Sequence, residues 1–349
     1  MFKLATYLIA SSVFIASPGF AQQRFDGITL RVGTYGGSWK DAVQEQVGKK
    51  LEAMGAKVEY VVGNPGENLA KLIAARGQSP IDVMEIGPAE RVAMLKHDFL
   101  ADIPIQQVPN AAKLPKNLVE AKLLPHIIVE NGIVYRVDKF KEAGIAVPTK
   151  YADLVNPKLA GRTAFPDVTN TQHWTAVTGL AYDASGSESN PGPGFTLVQR
   201  IKPLYYFSAA AELAQKFSTG DVIAAPWHAG WAVRMSRGGL DVGFVHPMVN
   251  GKRGAIEYNY LGIPKGAKNV QAAAAFINAF LDAQAQADFA RATGVVPVNP
   301  EARKQLSNDP VLAKFMLLND KDIENAFVVN WDHINQEQWR ADWTRSISK

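Results

Sequence analysis

At 349 residues the chain has room for about two domains of ordinary size. A composition of 47% hydrophobic and 20% charged residues is that of a globular protein and excludes a largely disordered or coiled-coil chain. Thirty-seven Lys and Arg against 33 Asp and Glu leave a net charge of +4, too thin for nucleic acid; with no cysteine, disulfides, thiolate metal sites, a cysteine nucleophile and lipidation of an N-terminal cysteine are excluded.

The N-terminus reads as a targeting segment over residues 1–21. Lys3 is the only charge before Arg24, and the apolar run Leu4–Ala16 has the length of a signal-peptide core. It is short of the about 20 residues that span a bilayer. Pro18 breaks the helix, and Gly19-Phe20-Ala21 puts small residues third and first before a cut after Ala21. The mature protein is therefore expected in the periplasm.

Beyond that cut, strands and helices alternate. Ile28–Gly33 is rich in β-branched residues and reads as a strand. Ser38 is a candidate helix cap with Asp41 in the reciprocal position, and Val43, Val47, Leu51 and Met54 then share one helical face. Lys57–Val62 is a second strand, Asn64-Pro-Gly-Glu opens a second helix, and Ile81–Ile86 is a third strand, followed by a helix through Leu95. This β-α-β-α-β-α order predicts a mostly parallel sheet covered on both faces.

The rhythm then changes. Ile127–Val137 is extended, Tyr151–Val155 is a short helix and Arg162–Phe165 a strand. Helices are expected near 172–183 and 209–218, a surface loop over Ser185–Gly194, and a strand over Asp221–Ala225 with a helix from Ala229. Leu240–Val245 and Glu257–Ile263 are extended, and Asn269–Leu281 is a strongly apolar helix. The fold class is α/β: two lobes joined by two crossing hinge strands, with a ligand cleft between them. The boundaries expected are 22–132 for the first lobe, 133–259 for the second, 260–310 for the return to the first, and 311–349 for C-terminal helices.

Motifs for catalysis are absent: there is no Gly-x-Ser-x-Gly elbow, no His-Glu-x-x-His and no phosphate-binding Gly-x(4)-Gly-Lys-Ser/Thr loop. The histidines at 97, 126, 173, 228, 246 and 333 do not pair at ligand spacing, so no metal or cofactor is expected. Gly33-Thr-Tyr35-Gly36-Gly37 is either a plain strand-to-helix turn or one that brings backbone amides to a polar ligand group.

Aromatic residues gather where loops meet the expected cleft. Tyr35 and Trp39 follow the first strand, Trp174 follows Asp167–Asn170, Trp227 and Trp231 flank His228, and Tyr258 and Tyr260 flank Asn259. Each ring alone reads as core; the set at four loop positions reads as a site for an organic cation, with Asp167 to neutralise an ammonium.

These residues, with Ile81-Asp-Val-Met-Glu85, Asn131-Gly-Ile-Val-Tyr135, Tyr151-Ala-Asp-Leu154, Pro157-x-x-x-Gly161, Gly220-Asp-Val and Leu261–Asn269, resemble the periplasmic solute-binding proteins of ABC importers, in the spermidine/putrescine-binding branch. The resemblance runs from about residue 28 to 330. It implies a type II binding-protein fold that captures a small solute, closes, and delivers it to an inner-membrane permease. A monomer that makes and breaks no bond is expected.

Residue by residue, Tyr35 lies where that family often has an aromatic contact, and Gly87 lies on a contact loop. Asp167 matches an acidic position of polyamine binders, and Trp227 an aromatic wall. Asn170 and Asn259 stand where polyamine binders carry carboxylates, and Glu257 where they carry tryptophan. One ammonium against Asp167 or Glu257, with amides for neutral or acidic atoms, suits a monoamine or zwitterion, and Arg162 or Arg234 is available for a carboxylate. Two other readings are a ferric-iron binder using Tyr205-Tyr206, although Trp227-His228 occupies the place of that branch's tyrosine pair, and a periplasmic enzyme using Asp167 with His173.

Overall fold

In the computed structural model, which describes residues 24–347, the strand Thr29–Thr34 pairs in parallel with Lys57–Val62 on one side and with Val83–Ile86 on the other. The expected export segment, 1–21, lies outside the described residues. Alternating burial places Leu30 and Val32 of the first strand in the core, and Val43, Val47 and Leu51 cover it from the following helix. That helix begins at Ser38, which corrects the expected cap. Gly37 takes the capping position with φ of 62°, and no side chain caps it. The next helix, Pro65–Ala74, does carry a capping box: Asn64 accepts from the Glu67 amide at 2.9 Å, and Glu67 accepts from the Asn64 amide at 3.0 Å.

Two long strands then run through the molecule. Leu123–Arg136 and Ala255–Pro264 pair antiparallel from Leu123↔Gly262 to Asn131↔Ala255. In its first half the pair belongs to the first sheet, where Tyr260–Gly262 lies beside Glu85, Ile86 and Met84. Past Asn131 the first of them is flanked instead by Ala224–His228 and Val242–Val245, the strands of the second lobe. Ala164–Pro166 and Tyr205–Phe207 pair in parallel, and Thr163 bridges to Ala224.

The switch of partners occurs at Gly132, where a Cβ would lie 2.2 Å from the Val245 carbonyl oxygen and 2.6 Å from the Phe244 ring. Only glycine permits that approach. Beside it, Glu130 is buried and anchored from both sides, accepting from the Leu317 amide at 2.5 Å and standing 3.1 Å from His246 Nε2.

The largest apolar core covers the first sheet and continues along one face of the second lobe, through Phe207, Phe217 and Trp227. A second core lies on the opposite face and is closed by the helix Gln336–Ile347, whose Trp339 and Trp343 are 2% and 1% exposed. Residues 192–194, expected in a loop, open the helix Gly192–Ile201. Pro193 is tolerated there because first-turn amides have no helical partner. Among the described residues no helix is long and apolar enough to cross a membrane.

Candidate functional site

The loop after the first strand carries Tyr35, half-buried, with its ring 5.4 Å edge-on from Trp39. Trp39 is itself held in place: Nε1 donates to both Glu85 oxygens at 3.0 and 3.1 Å, and its ring meets Phe289 at 5.0 Å. Glu85 also accepts from the Thr34 hydroxyl and lies 3.2 Å from His126 Nε2. This buried carboxylate is fully committed to the scaffold of the first lobe. Gly36 is exposed at the turn, and Gly87 is buried as the cap residue of the helix Pro88–Lys96. A Cβ at Gly87 would lie 2.5 Å from a Glu90 carboxylate oxygen, so glycine makes room for that side chain.

Glu257 stands on the second crossing strand, opposite Val129, and is 3% exposed. It accepts a hydrogen bond from the Thr175 hydroxyl on the helix Gln172–Asp183, and Thr175 also accepts a long 3.5 Å contact from Asn131 Nδ2. Burial raises its carboxyl to about 7; the hydrogen bonds from Thr175 and Asn131 oppose that rise, and the Glu90 charge adds to it. Burial likewise raises Glu90. The Tyr35 phenol is driven well above its ordinary value by burial and then by the charges of Glu85, Glu90 and Glu257. Tyr35, Glu90 and Glu257 therefore share one electrostatic neighbourhood, drawn from the first lobe and the crossing strand. Asn131 Oδ1 is buried without a hydrogen-bond partner.

His228 caps the helix Ala229–Arg237, and burial, followed by the Arg234 charge, lowers it to about 3, so it is neutral. Arg234 donates to the Thr293 carbonyl oxygen at 2.9 Å and lies 4.7 Å over the Trp231 ring. Tyr258 is half-buried on the outward alternation of its strand, while Asn259 is 8% exposed and gives its carbonyl to His126 Nδ1 at 3.0 Å.

Trp174 and Trp227 are placed differently from the ligand walls expected of them. Trp174 is 3% exposed and packs on Trp339 at 5.4 Å and Trp331 at 5.8 Å. Trp227 is 1% exposed, stacks on Trp231 at 4.8 Å, and lies against Phe207 and Phe217. Both rings serve the cores. Asp167 accepts from Thr169 and from Trp343 Nε1 at 3.2 Å. Burial opposes its ionisation, but these bonds hold it below the usual carboxylate range. Asn170 accepts from the Gln172 amide in the turn before the following helix and donates to the Ser208 carbonyl oxygen. Asp167 and Asn170 thus fix the C-terminal helix and a turn.

The geometry also speaks to the two other readings. Tyr205 and Tyr206 are neighbours on one strand and face opposite ways, Tyr205 toward the first core and Tyr206 toward Trp343 in the second, so their oxygens do not converge. Among the described residues no group of three or more His, Asp and Glu is placed to hold a metal. His173 is fully buried, which lowers it to about 4; its Nδ1 meets the Pro166 carbonyl oxygen at 2.9 Å rather than Asp167.

Residue order gave no signal for Arg91 or the segment 328–332, which with Pro88, Glu257, Tyr258 and Tyr260 line a cavity of about 210 Å³. Chain separation hides this meeting: Phe327–Val328 pairs with Ala255 and Ile256 more than seventy residues earlier.

An α/β chain with two crossing strands and a polar cleft at their junction defines a binding protein of the two-lobed class. The chain belongs to the bacterial extracellular solute-binding protein family, whose model matches residues 44–314. The fold is shared with an ABC transporter protein of Clostridium perfringens ATCC 13124, at 24% identity, a TM-score of 0.72, and coverage of 90% of this chain and 99% of that one. It is shared also with AgtB of A. tumefaciens R10, solved with agropinic acid, at 20% identity, TM-score 0.74, and coverage of 93% and 100%. The Atu4243-GABA receptor is similar at 20% identity, TM-score 0.70, and coverage of 91% and 96%. The protein is thus an extracellular solute-binding protein by family, and the similar structures share its fold.

Proposed function

We propose that this protein, exported and cut after Ala21, works in the periplasm as a monomer and captures a small organic amine or zwitterion between its lobes. It then presents that solute to an inner-membrane permease. The observation that carries the reading is Glu257: a carboxyl buried at the junction of the lobes, bound to Thr175 of the second lobe and facing the charge of Glu90 from the first. A buried carboxyl in that position gains most from a positively charged guest, which replaces the water its charged form has lost. The aromatic contact comes from Tyr35, while Arg234 is engaged by the Thr293 carbonyl oxygen and the Trp231 ring. Among the similar structures, one is a receptor for GABA, itself a zwitterion, which supports this size and charge class.

Hinge bending at Asn131–Tyr135 and Tyr258–Pro264 separates and rejoins the lobes. A solute that touches both lobes only when they are closed shifts the population toward closure. No bond is made or broken, so the raised carboxyl serves recognition and not proton transfer.

The test is mass spectrometry of the solute that co-purifies with the protein, followed by its affinity for Glu257→Gln and Tyr35→Ala. An amine or amino acid bound more than tenfold more weakly by both variants supports the reading. A solute without a cationic group, or unchanged affinity in both variants, contradicts it.

A further inference from the structure

We propose that the cavity between the helix Pro88–Lys96 and the segment 328–332 is a carboxylate subsite read by Arg91, so that the solute is a zwitterion with its cationic end on Glu257. This rests on the reading of the cleft given above and names the solute class within it.

The cavity has a structural origin. One edge of the crossing strand Ala255–Pro264 is occupied from Ala255 to Gly262 by Leu123–Asn131. The other is covered at Tyr260–Gly262 by Val83–Ile86 and at Ala255–Ile256 by Phe327–Val328. Between those two partners, among the described residues, Glu257–Asn259 has no strand beside it. The gap is the cavity, about 210 Å³, room for roughly seven waters at about 30 Å³ each, which is the scale of a small amino acid. Its walls have different owners. Pro88 and Arg91 belong to the first lobe, whereas Trp331 packs on Trp174 and Asn330 donates from its amide to Glu188, both in the second. A guest there touches both lobes.

Two groups of opposite charge line the same space. Glu257 is one. Arg91 is the other, and it is held in a fixed pose: Nη2 donates to both Glu120 oxygens at 2.7 and 3.0 Å, and the guanidinium lies 5.5 Å over the Tyr260 ring. That pose leaves Nε buried with no hydrogen-bond partner. Nε itself has no surface open to the cavity, so what a guest meets is the exposed part of the guanidinium: Arg91 lines the cavity and its side chain is 30% exposed. A planar guanidinium held in a fixed pose suits a carboxylate. The same guanidinium disfavours the second ammonium of a polyamine at that end, although its pairing with Glu120 tempers the repulsion.

The test is calorimetric titration at about pH 8 with three series of two to six carbons: linear amino acids carrying a terminal amine, n-alkylamines and n-carboxylates. Wild type, Arg91→Met, Arg91→Lys and Glu257→Gln are compared, and unliganded thermal midpoints check folding. The expected result is that amino acids bind the wild type at least tenfold more tightly than either singly charged series, on the order of one charge-assisted hydrogen bond. Arg91→Met removes that preference and leaves alkylamine affinity within about threefold. Arg91→Lys, which keeps the charge but lacks the planar guanidinium, also loses most of it and carries the test if the Met variant does not fold. Alkylamines binding as well as amino acids, or amino-acid affinity untouched by Arg91 variants, overturns the subsite while Glu257→Gln still weakens every amine. Binding by none of the series overturns the zwitterion, and affinities unchanged in Glu257→Gln place the failure in the reading of the cleft itself.

Discussion

The Thr175 hydroxyl donates to the Glu257 carboxyl, tying a helix of the second lobe to a crossing strand that the first lobe also holds. Neither residue is more than 3% exposed. The pair sits where the lobes must move past each other, and its surroundings are polar on several sides: Asn131, Glu90, Tyr35 and, through its charge on the buried phenol, Tyr151.

Affinity for an amine should follow the Glu257 proton. With the carboxyl raised to about 7 in the unliganded protein, a cation competes with a proton below that value. The dissociation constant is expected to rise about tenfold per unit of falling pH below 7 and to level off above it. Titration calorimetry between about pH 5 and 9 reads this directly, and a flat profile through that range argues against Glu257 as the cation's partner.

Stability should run the other way. A carboxyl that holds its proton to about 7 when folded, but releases it near 4.5 when unfolded, favours the folded state at low pH and loses that favour as pH rises between those values. The span corresponds to roughly 3 kcal/mol. Glu257→Gln removes the ionisation and keeps an acceptor for Thr175. It is expected to raise the unliganded midpoint of thermal unfolding at about pH 8, with the gain vanishing near pH 5, while binding is lost.

Trp227→Ala opens a large hole in the first core and should cost about 3–5 kcal/mol of stability. Trp227→Phe keeps the ring and removes an indole N–H that has no hydrogen-bond partner. It should leave solute affinity within about threefold, since less than 1.4 kcal/mol is at stake. Denaturant unfolding combined with titration separates the two effects. A Phe variant that folds well but binds tenfold more weakly would return Trp227 to the cleft.

Gly132→Ala places a methyl on the Val245 carbonyl and the Phe244 ring at the point where the crossing strand changes partners. Overpacking of this kind costs about 1–3 kcal/mol or more. The expected outcome is a lowered urea midpoint with an unchanged m-value. No change in the midpoint would mean that the strands are not pinned there.

The alternation of elements was legible in the chain because periodicity and turn chemistry are local. The helix Gln172–Asp183 and the strand Lys57–Val62 fall where their side-chain patterns place them. Two stretches that carried the family resemblance turn out to be one structural device. Asp82 accepts from the amides of Arg31, Lys268 and Asn269 and from the Asn269 side chain, locking two strands to the start of the apolar helix. Nothing local links positions 82 and 269, so the clamp was invisible as such.

The site was legible only in part, for the same reason. Tyr35, Glu257 and Asn259 are set by strand ends and alternation. The directions of Trp174 and Asp167 are set by Trp339 and Trp343, far along the chain, which draw the ring into a core and take the carboxylate as a hydrogen-bond acceptor. Arg91 sits in a helix with no distinctive pattern, and its importance arises from the wall that residues 328–332 build opposite it.

The most direct measurement of the central claim is a crystal structure of the protein with its co-purified solute. The account predicts a solute nitrogen within hydrogen-bonding distance of the Glu257 carboxylate, with contacts to Tyr35 on one lobe and to residues of the other. A solute seated on one lobe alone, or away from Glu257, would contradict it.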